Sequence, residues 1–205
     1  MKKFKLTAES KINIFGKKLF RIKALISFGD VEEGETGGWI EKEENLEQSS
    51  GDAWVYGNAE VYGNARVSGN AEVYGDAEVS GNAWVSGNAE VSGDAWVYGN
   101  AEVSGNARVS GNAEVYGNAR VSGNAEVSGN ADYTTIHGFG TQFRTTTFFQ
   151  CEDKQIRVSC GCFLGTIPEF REQVKNTREG KIAEEYLMIA DLMEKHFVKE
   201  KESGE

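Results

Sequence analysis

The sequence predicts a mainly β chain built around a parallel β-solenoid, with a non-repetitive cap at each end. Three observations carry this reading. The phrase G-[ND]-A-x-V-[YS] begins at Gly51 and recurs without insertion, giving fourteen copies over residues 51–134. Within each copy, A-x-V-[YS] alternates inward small or β-branched residues with outward ones, the period-two signal of a half-buried strand. A six-residue period is too short for a helical repeat, and Gly with Asn or Asp in every unit works against a helix. The chain divides into an N-terminal β cap (1–50), the repeat (51–134) and a C-terminal β-hairpin and two-helix cap (135–205).

In the first segment, KFKLTA and KINIFGKKLFRIKAL read as short strands with a hairpin turn at Phe15-Gly16-Lys17. FGDVEEGETGGWIEKEENL follows as a Gly-rich loop whose glycines make tight turns and seat Trp39 on the first coil. GETGGW lacks the Lys-Ser/Thr ending and following helix of a phosphate loop.

In the repeat, G-[ND] makes the corner, since Gly and Asn both tolerate left-handed backbone. Val and Ala fill a narrow interior until Tyr133 replaces Val in the last copy. The phrase resembles that of hexapeptide-repeat proteins, whose left-handed parallel β-helix has three hexapeptides per triangular coil. That resemblance implies an eighteen-residue turn and a prism ~22 Å tall at the usual ~4.8 Å strand spacing.

Residues eighteen apart then stack. One face carries Trp54, Glu72, Glu90, Arg108 and Glu126. A second carries Glu60, Glu78, Trp96, Glu114 and Asp132, and a third Arg66, Trp84, Glu102 and Arg120. Glu90–Arg108–Glu126 and Glu102–Arg120 are complementary, whereas Glu60–Glu78 and Glu72–Glu90 put like charges on neighbouring rungs. Tyr56–Tyr74 and Tyr98–Tyr116 should stack as aromatic ladders. Trp96, Tyr98 and Tyr116 form a candidate protein-contact patch, and Trp54 and Trp84 are further contact candidates.

Beyond the repeat, TTTFFQC and QIRVSCGC read as a hairpin turned by Glu152-Asp153-Lys154. Thr166 is a helix N-cap with Glu169 completing a capping box. A second helix over 181–198 places Ile182, Tyr186, Ile189, Met193 and Phe197 at helical spacing, to pack on the hairpin. Cys151, Cys160, Cys162 and His137 could supply zinc ligands, but the spacing lacks paired C-x₂-C knuckles, so small packing residues are expected and no metal or cofactor.

The formal net charge is −10. Residues 51–132 hold eleven acids and three arginines, net −8, while residues 1–23 hold eight bases and one acid, net +7. An acidic prism repels nucleic-acid backbone, so no direct nucleic-acid binding is expected of it. The basic segment either binds an anion or lies against acidic surface of the same molecule. The absence of a membrane-length apolar run and of a signal peptide predicts a soluble cytoplasmic protein.

FGDVEEGETGGWIEKEENLEQSSGDAWVYGNA resembles the leading segment of bacterial and phage hexapeptide-repeat proteins, whose bacterial members are often described as transferases. IRVSCGCFLGTIPEFREQV resembles the tail of short phage and prophage members described as polymer-forming. The resemblance implies fold and setting, not an established activity. Hexapeptide acyltransferases are trimers with a histidine base, but residues 51–132 contain no histidine and no extruded loop. General-base chemistry needs a positioned titratable group, and His137, just past the last copy, is the one residue that an acyl-CoA-dependent reading can use. The leading expectation is therefore a non-enzymatic structural or interaction protein, a rigid acidic rod that contacts a protein partner or other copies as a dimer or trimer. The alternatives are a phage-encoded antagonist of a host system, acting by acidic mimicry or capture of a small anionic ligand, and the acyltransferase.

Overall fold

The computed structural model describes residues 2–197. A hairpin of β1 (Phe4–Ile12) and β2 (Lys18–Ala24) leads to β3 (Thr36–Ile40) and then to thirteen two-residue strands. These run from β4 (Trp54–Val55) to β16 (Glu126–Val127), one every six residues. Each pairs in parallel with the strand eighteen residues away, as in Glu90↔Arg108 and Val91↔Val109. The three resulting stacks form a three-sided parallel solenoid of about five turns. The inward Val and Ala of the first thirteen copies are buried, so each rung removes one β-branched side chain and one methyl group from water.

The solenoid starts earlier than the repeat does. β3 pairs in parallel with Glu60–Val61, and Leu46 bridges to Val67, so Ile40 and Leu46 occupy inward positions of a first coil. These two sit twenty-one residues before their partners rather than eighteen, because residues 47–52 carry three extra residues. The Gly-rich segment therefore ends in a strand, not a loop. Gly37 and Gly38 are not turn residues but points of close approach. A Cβ on Gly37 would lie 2.6 Å from the Trp54 ring and 2.7 Å from Ile22.

At the corners the two small residues divide the labour. The glycines from Gly51 to Gly123 adopt positive φ, as Gly87 does at +71°, while no Asn does. The Asn side chains instead form amide ladders along the prism. Asn64, Asn82, Asn100 and Asn118 make one, each Nδ2 donating to the next Oδ1 at 3.0–3.2 Å. Asn70, Asn88, Asn106 and Asn124 make a second at 3.0–3.1 Å.

The fourteenth copy leaves the prism. Gly129 lacks the positive φ of its predecessors, and Tyr133 opens β17 (Tyr133–Phe139). This strand joins β18 (Arg144–Gln150), β19 (Ile156–Cys160) and β20 (Phe163–Thr166) in an antiparallel sheet of four, where the sequence shows only the central hairpin. The sheet and the turn before it supply side chains to the last coil's open edge. The Tyr133 hydroxyl donates to Glu114 O at 2.6 Å, Asn130 Oδ1 accepts from Glu114 N at 2.8 Å, and Thr147 Oγ1 accepts from Arg120 N at 2.9 Å.

α1 (Ile167–Thr177) starts at the expected capping box: Thr166 Oγ1 accepts from Glu169 N at 3.3 Å, and Glu169 returns the bond to Thr166 N at 2.7 Å. α2 (Gly180–His196) packs Tyr186, Ile189 and Met193 with Phe148, Val158 and Phe170 of the cap; the expected last residue, 198, lies outside the described residues. No helix among the described residues is long and apolar enough to cross a membrane.

Candidate functional site

The basic first segment is spent largely within the molecule. Lys2 meets Glu43 at 2.6 Å, Lys11 meets Glu60 at 2.8 Å and Lys17 meets Glu41 at 3.4 Å. Lys3 is buried, its Nζ donating to the Gly51 and Ala53 carbonyls at 3.2 and 3.1 Å; burial lowers its pKa, and Asp52 and Glu47 oppose the shift. Of the surface aromatics, Trp54 is not one at all. It is wholly buried, with the edges of Phe4 and Phe28 packed at 6.1 and 5.4 Å to plug the top of the core. It keeps the outward register of Glu72 and is buried because Phe4, Phe28 and the Gly37 backbone lie over that end of the face.

The hairpin curls over the face that carries Glu60, Glu78 and Trp96. Lys11 and Asn13 point at Glu60, and the turn residue Phe15 reaches Trp96, with ring centroids 5.8 Å apart. Trp96 meets Tyr98 edge-on at 6.4 Å, and Tyr98 stacks on Tyr116 at 5.3 Å with 12° between planes. A line of rings thus runs from the hairpin tip to the last coil of that face. Ile12 and Ile14, on the other side of the tip from Lys11 and Asn13, are 73% and 82% exposed, and Tyr116 is 51% exposed. The sequence places Trp96, Tyr98 and Tyr116 together; it does not show Ile12, Ile14 and Phe15 joining them. The signal available was INIF at a hairpin tip, where polar residues are the rule. Trp84 is half exposed on another face, its Nε1 donating to Ser68 Oγ at 2.9 Å, and is not part of the line.

Four tyrosines, Tyr98 among them, also act as polar braces. Tyr56, Tyr62, Tyr74 and Tyr98 each donate a hydroxyl to the Glu sixteen residues on, at 3.4, 2.8, 3.1 and 3.3 Å. No ring pair forms between Tyr56 and Tyr74 among the described residues. Burial, and then the nearby Glu72 charge, push Tyr56 up to about 12, and burial with the Glu78 bond pushes Tyr62 higher still. The Tyr56 and Tyr62 phenols therefore keep their protons at neutral pH and act as donors to the facing glutamates.

His137 is exposed beyond the last coil, its Nδ1 3.5 Å from Thr145 Oγ1, and shares an open depression with Cys162. Cys151 is buried, its thiol pushed up to about 11 by burial, and lines a different depression with Arg157 and Leu164. Cys160 Sγ accepts from Thr146 Oγ1 at 3.2 Å. Among the described residues no three of His, Cys, Asp or Glu gather as metal ligands.

The family model of the YdcK beta solenoid repeat matches residues 59–75, 101–117 and 113–129. Each match starts on an inward Ala and runs seventeen residues (59 to 75, for example), one short of a coil. The match and the architecture together support a repeat β-helix protein. No curated protein matches the chain.

Proposed function

We propose that this protein is a non-enzymatic structural scaffold that pairs with a second copy of itself through the ring line and the hairpin tip. The observation that carries the reading is the row of rings Phe15, Trp96, Tyr98 and Tyr116, exposed at both ends and half-buried between, with the exposed Ile12 and Ile14 on the outer side of the same hairpin tip. Apolar patches of this kind mark interfaces. Charge argues for a two-fold, antiparallel arrangement. Lys18 at the tip and Glu114 at the far end of the same face have no oppositely charged partner within 4 Å among the described residues. A two-fold axis across the line sets each tip against the other copy's acidic end, an isologous contact.

Sedimentation of the full chain tests this. Wild type is expected to dimerise at micromolar concentration, and Ile14→Glu with Tyr116→Glu to be monomeric while still folded. A wild-type monomer at all concentrations overturns self-pairing, and turnover of acyl-CoA overturns the non-enzymatic role. The acidic-mimic alternative is weakened by geometry: Glu60, Glu90 and Glu102 are already paired with Lys11, Arg108 and Arg120.

A further inference from the structure

A second site lies at the other end of the molecule, where the last coil meets the antiparallel cap, and it does not depend on the ring line. Asn118, Arg120, His137, Phe143, Arg144, Thr145, Gly161 and Cys162 line an open depression of about 650 Å³. Both guanidinium groups converge on the turn at Gly161. Arg120 Nη1 lies 3.4 Å from the Gly161 carbonyl oxygen, and Arg144 Nη1 lies 2.5 Å from where a Gly161 Cβ would stand. Gly161, at φ +64°, carries no Cβ and so leaves free the space beside the Arg144 guanidinium.

Arg120 is shared with Glu102 at 3.2 Å, but Arg144 is exposed and has no carboxylate within 4 Å among the described residues. In a chain of net charge −10, an unpaired arginine beside a second arginine and a histidine is a local reversal of field. Because the Nδ1 of His137 faces Thr145, its Nε2 is left without a protein partner among the described residues. An arginine fork gives two parallel N–H bonds to a phosphate, and two such groups with an imidazole suit a dianion better than a single carboxylate.

Phe143 adds a second, independent observation. It holds φ +50°, a left-handed backbone that is an outlier for a bulky side chain, yet it packs little and is 64% exposed on the rim. Phe143 closes the hairpin loop 140–143, and its left-handed turn position leaves the ring in solvent on the rim. An exposed ring beside an anion pocket is a stacking platform for a planar base.

We propose that this depression binds a nucleotide, its phosphate held by Arg144, Arg120 and His137 and its base lying on Phe143. The test is calorimetric titration of the full-length protein with adenosine monophosphate, inorganic phosphate and adenosine. The monophosphate is expected to bind more tightly than either fragment. Arg144→Ala should weaken it about tenfold or more, the scale of a lost charge-assisted bond, and His137→Ala should weaken it less. Phe143→Ala should lower affinity for the monophosphate while leaving that for inorganic phosphate unchanged. All three residues are exposed, and unchanged circular dichroism checks that each variant folds. Absence of binding by both phosphate probes to wild type, or equal binding by Arg144→Ala, overturns the site. Equal affinity for the monophosphate and free phosphate overturns the base-stacking half.

Discussion

Glu78 lies in the column between Glu60 and Trp96, half out of water and beside a second carboxylate. Burial raises its pKa above the ordinary 4.5; the Tyr62 hydroxyl bond pulls it back, Glu60 adds to the rise and Lys11 opposes it. A carboxyl group whose native pKa is raised holds its proton more tightly in the folded state. Between the unfolded and folded values the native protein therefore carries more protons, and stability from this group rises as pH falls through that window. Glu78→Gln keeps the acceptor for Tyr62 and removes the charge. The variant is expected to be the more stable protein at neutral pH, with its advantage shrinking as pH falls from above the raised value to below 4.5. Urea midpoints across that range read the difference directly, and an advantage that does not change with pH would contradict the assignment.

At the scale of the element, the corners explain why the phrase is so strict and where it is not. Two corners carry unbroken asparagine ladders, because an amide both donates and accepts. The third carries Asn58, Asp76, Asp94, Asn112 and Asn130. Asn58 donates to Asp76 at 3.1 Å, but an aspartate has nothing to donate onward, and the ladder stops there. Asp76→Asn with Asp94→Asn should extend it by two amide bonds and remove a like-charge pair, stabilising the solenoid by about 1–2 kcal/mol for exposed bonds of this kind. Thermal melting checks this, and an unchanged or lowered midpoint would show that the ladder contributes nothing. The eighteen-residue register that places these side chains was legible in the sequence, as were the Glu102–Arg120 pair and the Tyr98–Tyr116 stack. The coil formed by Ile40 and Leu46 was not, because larger side chains and three extra residues break the phrase while the backbone continues. Nor was the tyrosine–glutamate bracing: a sixteen-residue offset joins the outer end of one rung to the next coil and has no counterpart in the period. Half of the candidate contact line was readable, since Trp96, Tyr98 and Tyr116 share a face by register alone. Phe15 joins them through the fold-over of a hairpin, which no local pattern encodes.

For the whole molecule, the two ends decide whether a stack of identical rungs stays finite. Parallel coils expose a row of unpaired N–H and C=O groups at each terminus, a template for further strands. At the top, β2 pairs antiparallel with β3 and closes the edge of one face, while Gln48 Oε1 accepts from Lys3 N and Phe4 N at 2.9 and 3.2 Å. At the bottom the closure is made by side chains: Asn130 and Tyr133 satisfy Glu114, Thr147 satisfies Arg120, and Ala125 bridges to Cys151. Phe149 and Tyr133 also plug the core there, as Phe4 and Trp54 do above. Nothing in the repeat's rungs limits length, since each presents the same Val and Ala interior. Ending the chain at residue 128 should therefore leave the solenoid's lower edge and core open together. The truncated protein is expected to associate end to end as concentration rises, seen by sedimentation and electron microscopy as rods longer than the parent. Tyr116→Glu in the truncated chain separates this from pairing across the ring line, because end-to-end growth survives that change and lateral pairing does not. A truncated chain that is folded and monomeric at high concentration would show that the rungs carry their own stop, and that the cap serves the adjoining depression rather than the edge.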